Sequence, residues 1–178
     1  MRYAIIAGFL LSSAVIYAAF FRKKPAPLAT VSHVDVSRYV GVWYEIGRLP
    51  NAPEKNLKCI TATYAVKPDG NLSVLNGGFN LKKNKYQSIE GFAKITDTAT
   101  NAKLKVSFFR PFYGDLWILD LDSANYTYAM VGSPSRGGLW LLSRTPMMTD
   151  TLKAQLLQKA QGLGFDLAPM IWVDQSCE

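Results

Sequence analysis

Apolar and polar positions follow two different patterns along the chain. Tyr3 to Phe21 contains no charged residue. Beyond residue 40 the apolar residues come in short blocks with a period of two. Ile60, Ala62, Tyr64 and Val66 alternate with Cys59, Thr61, Thr63 and Ala65. Leu104, Val106 and Phe108 alternate with Lys103, Lys105 and Ser107, as in a strand with one wet face. The pattern predicts strands over Trp43–Arg48, Cys59–Lys67, Leu72–Phe79, Tyr86–Ala93, Lys103–Phe108, Leu116–Leu121, Tyr126–Gly132 and Leu139–Arg144. Turn residues separate them, with Pro68-Asp69-Gly70, Lys82 to Lys85, Asp122 to Asn125, and Pro134 with Gly137-Gly138 the strongest signals.

These connections are too short for parallel crossovers, so the sheet is an antiparallel meander. Eight strands is the number at which a barrel closes around side chains or one small ligand; a sandwich is the competing architecture. One helix follows. Thr149 or Asp150 caps it, Leu152, Leu156, Ala160 and Leu163 share a face, and Gly162 and Gly164 are terminators. Such a one-sided helix packs outside a barrel. Ile171-Trp172-Val173 is a short last strand or extended tail.

As a helix, Tyr3 to Phe21 reaches about 28 Å, close to the hydrocarbon thickness of a bilayer. The chain thus divides into a leader with linker, 1–29, and a folded domain, 30–178. A cleaved signal peptide and an uncleaved anchor both fit. Ala18 and Ala19 offer a cleavage site, whereas Tyr17 and the basic residues Arg22, Lys23 and Lys24 favour the anchor. Those three basic residues outnumber Arg2 and the amino terminus, which favours a cytoplasmic folded domain. Twenty Lys and Arg face 13 Asp and Glu, a net charge of +7. Arg2, Arg22, Lys23 and Lys24 carry four of those charges, so the folded domain has only +3. A nucleic-acid-binding face is not indicated. A single histidine, His33, and two cysteines exclude clustered His ligands and Cys-based metal sites.

Three segments resemble the signature motifs of lipocalins. Gly41-Val42-Trp43-Tyr44-Glu45-Ile46 is similar to the first, Asp122-Ser123-Ala124-Asn125-Tyr126 to the second, and Trp140-Leu141-Leu142-Ser143-Arg144-Thr145-Pro146 to the third. Asp35-Val36-Ser37-Arg38-Tyr39, Leu104 to Phe109 and Pro111-Phe112-Tyr113-Gly114 look like the bacterial lipocalin and apolipoprotein D subgroup. The resemblance covers residues 33–178. It implies an all-β fold: an eight-stranded antiparallel up-and-down barrel with a C-terminal helix packed outside, here preceded by the hydrophobic N-terminal helix. It also implies a structural floor in which Arg144 packs over Trp43 beside Gly41, a cation–π contact of about 0.5–2 kcal/mol. A Cys59–Cys177 disulfide is implied in the same way. That bond places the domain in an oxidising compartment and outweighs the charge count on orientation. Bacterial relatives often carry an acylated cysteine, and the leader has none, so a peptide anchor or plain secretion takes its place.

An apolar barrel interior is a container. Inward candidates are Tyr64, Val66, Leu72, Val74, Ile89, Leu104, Val106, Phe108, Trp117, Leu119, Tyr128, Met130 and Trp140. Tyr64, Phe108, Tyr113, Trp117 and Trp140 are the candidate ligand contacts. Phe112 and Tyr113 are placed in a loop, as mouth or rim packing, and Arg110 beside them is a head-group partner or a solvated side chain. The resemblance implies a fatty acid or lysophospholipid, stored or transported at the extracytoplasmic side of the envelope, at the outer membrane. It implies no catalysis, cofactor, metal or nucleic acid. Residues 3–21 are the membrane contact, and the sequence is compatible with a homodimer. Two other classes are an enzyme using Glu45 as acid or base, and an interaction domain with a filled barrel.

Overall fold

The computed structural model describes residues 26–177. The apolar leader over 3–21, with its expected helix, lies outside the described residues. A four-residue helix, α1 (Val36–Tyr39), is capped by the Asp35 carboxylate, which accepts from the Ser37 amide at 2.9 Å. Eight strands follow: β1 (Gly41–Arg48), β2 (Leu57–Val66), β3 (Leu72–Asn80), β4 (Lys85–Ile95), β5 (Lys103–Phe109), β6 (Phe112–Leu121), β7 (Tyr128–Gly132) and β8 (Leu139–Ser143). Helix α2 (Asp150–Gly162) and a two-residue strand, β9 (Ile171–Trp172), complete the chain.

Every neighbouring pair is antiparallel, and β1 pairs with both β8 and β2. The sheet therefore closes into a barrel with no free edge of its own. The β1–β2 pairing covers only the lower half, Gly41 to Tyr44 against Thr61 to Tyr64. Above it the strands part, and the C-terminal tail fills the gap. Gly47 and Arg48 pair with Trp172 and Ile171, the Val173 amide donates to the Ile46 carbonyl at 3.0 Å, and the Cys59 amide donates to the Asp174 carbonyl at 2.8 Å. The Gln175 side-chain amide spans both strands, donating to the carbonyls of Glu45 at 2.7 Å and Ile60 at 2.9 Å. A disulfide between Cys59 and Cys177 fastens the tail.

Two apolar clusters lie on opposite sides of the barrel wall. The inner one includes Trp43, Tyr64, Leu72, Val74, Ile118, Ala129, Val131 and Leu142. The outer one joins Ile46, Leu119, Met130, Leu139 and Leu141 to Leu156, Ala160 and Phe165 of the α2 region. Leu28, which the sequence pattern puts in the linker, is buried in this outer cluster. The Thr149 hydroxyl caps α2, accepting from the Leu152 amide at 3.3 Å, and Gly164 ends the segment with φ +87°.

β6 begins at Phe112, directly after Pro111, so Phe112 and Tyr113 belong to a strand rather than a loop. Pro111 and Gly114 suggest a loop, but only Arg110 and Pro111 form the tight turn between β5 and β6. β7 starts at Tyr128 because Tyr126 has φ 58° and belongs to the preceding turn.

Candidate functional site

One end of the barrel is closed by side chains. Tyr39, Trp43 and Tyr64 pack there with tilted rings, their centroids 5.2 Å apart for Tyr39–Trp43 and 5.5 Å for Tyr39–Tyr64. The Trp43 indole donates to the Tyr39 carbonyl at 2.8 Å. The Arg144 guanidinium lies 3.7 Å from the Trp43 ring centroid. It also donates to the carbonyls of Val42 and Arg38 at 2.8 Å, Val40 at 3.0 Å, Tyr39 at 3.1 Å and Tyr126 at 3.3 Å. One side chain thus ties the start of β1, the end of β8 and the turn before β7 together. At Gly41, φ is +95° and a Cβ would stand 3.4 Å from the Arg144 guanidinium, so glycine suits both the backbone and the stack.

Above this floor lies a cavity of about 1020 Å³. Its walls are mostly apolar, including Ile60, Val74, Ile89, Val106, Leu116 and Val131. Tyr64, Phe108, Tyr113 and Trp140 all line it. Trp140 is fixed from two directions. Its ring packs on Gly138, where a Cβ would come within 2.8 Å, and its indole N–H donates to Glu54 Oε2 at 3.2 Å. The mouth lies at the opposite end from Trp43, bordered by Phe109 and Phe112.

Trp117 is not in the cavity. It packs with the outer cluster, and the Lys103 ammonium stands 5.0 Å over its ring. Leu119, Tyr128 and Met130 share that outer face, and Val66 is exposed. In β6 and β7 both faces are apolar, because one meets the cavity and the other meets α2. Alternation alone therefore cannot choose between Trp117/Leu119 and Leu116/Ile118. The inward set is Leu116, Ile118, Ala129 and Val131. Arg110 is also outside the cavity, with its guanidinium 5.1 Å from the Phe92 ring.

The polar side of the cavity is a buried charged network. Arg48 Nε lies 3.1 Å from Glu45 Oε1 and 3.3 Å from Glu54 Oε2, and Arg48 Nη2 donates to the Glu54 carbonyl at 2.9 Å. Asn51 donates to Glu54 Oε2 and accepts from the Glu54 amide at 2.9 Å. Two carboxylates thus share one guanidinium. Burial, reinforced by the nearby Glu54 charge, pushes the Glu45 carboxyl well above the ordinary glutamate range, with Arg48 opposing. Asn76 Oδ1 is buried with no protein partner and also faces the cavity. Sequence alternation indicated Glu45 as inward. It gave no sign of Arg48, Asn51, Glu54 or Asn76, which come together only through the β1–β2 loop and the wall of β3. The one histidine, His33, is exposed and lies outside this group.

The family model for a lipocalin-like domain matches residues 34–175. The chain belongs to the lipocalin family. This lipocalin is 44% identical over 151 residues to the outer membrane lipoprotein Blc of Escherichia coli K12, covering 85% of each chain. It is 38% identical over 175 residues to the protein of the same name from Citrobacter freundii, covering 98% of each chain. Apolipoprotein D of Mus musculus is 32% identical over 163 residues, covering 86% of this lipocalin and 83% of the mouse protein. Among solved structures, insecticyanin from the tobacco hornworm superposes with a TM-score of 0.66 at 22% identity, covering 86% of this lipocalin and 87% of that chain. At that identity the likeness bears on the fold.

Proposed function

We propose that this lipocalin binds a single lipid with one long acyl chain, a fatty acid or lysophospholipid, and stores or transports it at the cell envelope. The observation that carries this reading is the floored apolar cavity of about 1020 Å³, at the upper end of the range for small-molecule sites. Burying an acyl chain against such walls gains roughly 25 cal/mol per Å² of apolar surface removed from water. The charged lining residues are the acids Glu45, Glu54 and Asp115. The floor end is closed by the apolar rings of Tyr39 and Trp43, so the chain enters first and the head stays at the mouth. Tyr64, Phe108 and Trp140 are the proposed acyl contacts, with Tyr113 at the mouth. The names of the relatives, an outer membrane lipoprotein and an apolipoprotein, support a lipid cargo and an envelope location.

Turnover is not part of this reading. Glu45 is occupied by Arg48 and neighbours a second carboxylate rather than a nucleophile or a histidine. Native mass spectrometry of protein extracted from membranes, with titration of a fluorescent fatty acid into the purified domain, tests the proposal. A co-purifying lipid and saturable one-to-one binding are expected. An empty barrel that rejects both a fatty acid and a lysophospholipid overturns it.

A further inference from the structure

Large apolar side chains at the mouth are left in water. Phe109 and Phe112 flank the β5–β6 turn at 71% and 77% exposure, and Leu81 at the β3–β4 turn is 57% exposed. Single exposed apolar residues are ordinary, but hairpin tips normally carry turn-forming polar residues. The two hairpins are neighbours at the mouth end, because β4 pairs with β5 up to Phe92–Ser107, and the β3–β4 hairpin runs several residues further. The same β3–β4 turn bears Lys82 and Lys83, and Lys85 opens β4; all three are exposed and outside any ion pair among the described residues. The nearest acids on these strands are Glu90, five residues from Lys85 and opposite Phe109 when the β4–β5 register is continued, and Asp115, three residues from Phe112.

A second observation concerns where the folded chain begins. Arg136, in the β7–β8 turn at the mouth, donates to the Ala26 carbonyl at 2.5 Å and to the Leu163 carbonyl at 2.7 Å. The chain therefore enters the fold at the mouth end, before running past Leu28 to α1 at the floor. Only residues 22–25 separate Ala26 from the apolar stretch ending at Phe21. The five steps from Phe21 to Ala26 reach at most about 18 Å. A leader held in a bilayer would bring the mouth, not the floor, to its surface.

We propose that the mouth docks on an anionic lipid bilayer, with Phe109, Phe112 and Leu81 entering the interface and Lys82, Lys83 and Lys85 resting on the head groups. Aromatic and aliphatic tips suit the head-group boundary, and basic residues beside them suit anionic lipid. A docked mouth gives an acyl chain a path between bilayer and cavity that avoids water. Docking does not depend on what the cavity holds, so its failure and the failure of lipid binding are read separately.

The test uses the full chain in vesicles containing phosphatidylglycerol and brominated phosphatidylcholine, which quenches nearby tryptophan. Phe112→Trp and, independently, Phe109→Trp place a reporter at the mouth, and Ser123→Trp places one in the exposed turn at the floor. Each signal is taken relative to the parent chain. Quenching is expected at 112 and 109 and absent at 123. Each lysine near an anionic surface is worth about fivefold, so replacing Lys82, Lys83 and Lys85 by serine lowers the docked-to-undocked ratio on the order of a hundredfold. High salt acts in the same direction. Equal quenching at mouth and floor, or no quenching at either mouth position, overturns the proposal. So does a mouth reporter that ignores bromine but changes with protein density, which would identify a second copy of the chain as the occupant.

Discussion

Breaking the Cys59–Cys177 bond acts chiefly on the unfolded chain. The bond closes a loop with a sequence separation of 118 residues. In the chain-entropy description that is worth about 5 kcal/mol at 25 °C, and native relaxation brings the measured value toward 3. The native tail keeps its other ties in the Cys59→Ser/Cys177→Ser double variant. The Cys59 amide still reaches Asp174, the Val173 amide still reaches Ile46, and Gln175 still bridges Glu45 and Ile60. The barrel therefore stays closed, and lipid binding at 25 °C is retained. Global stability nonetheless falls by about 3–5 kcal/mol, a large share of the 5–15 kcal/mol of an ordinary domain. Urea unfolding followed by tryptophan fluorescence measures this. With a slope of about 2 kcal/mol per M, the midpoint drops by roughly 2 M, and the slope rises because the unlinked chain exposes more surface. A midpoint shift below about 0.3 M with an unchanged slope would refute the reasoning.

Glu45→Gln tests the buried network through pH. Above its ordinary value of 4.5, an unfolded Glu45 ionises while the folded one resists. Stability from this group is thus complete below pH 4.5 and is lost as pH rises toward the raised folded value, at about 1.4 kcal/mol per unit in between. The depressed carboxyls Asp35, Asp69, Asp97, Asp122 and Asp174 act at the acid end, and the raised Tyr39 and Tyr64 act above pH 10. Urea midpoints between pH 5 and 9 should fall less steeply in Glu45→Gln than in the parent; superimposable slopes reject the assignment. Arg144→Met removes the stack on Trp43 and five carbonyl contacts, for a loss of about 3 kcal/mol and roughly 10 °C in Tm by calorimetry. Arg144→Lys recovers little of it, since an ammonium lacks the guanidinium fork. Trp140→Phe should weaken fatty acid binding several-fold with the fold intact by circular dichroism. Trp117→Phe should change it by less than twofold; the reverse order in a titration would return Trp117 to the cavity.

What was legible in the sequence follows from which interactions leave a periodic trace. Turn residues and two-residue alternation mark strands directly, so the barrel and the position of α2 could be read. The floor could be read because Gly41, Trp43 and Arg144 sit in motifs that resemble those of a known family, and the contact they imply is present at 3.7 Å. Alternation fails where a strand is apolar on both faces. Trp117 and Leu119 are as apolar as Leu116 and Ile118, and an irregularity between Ile118 and Asp120 shifts the register further along β6. Only the placement of α2 decides which row turns outward, and that is a tertiary fact. The polar edge of the cavity left no trace for a different reason. Arg48 ends a strand and Glu54 lies in a loop, and the structure brings them within 3.3 Å. Nothing about either residue alone distinguishes it from a solvated charge. The tail shows the same limit: Ile171 to Val173 reads as extended, but its slot exists only because β1 and β2 part above Tyr44. The floor was carried by motif and the wall by period. The chemistry that distinguishes one cup from another, its acidic edge and its basic apolar rim, was set by loops and strand ends whose neighbours the sequence does not name.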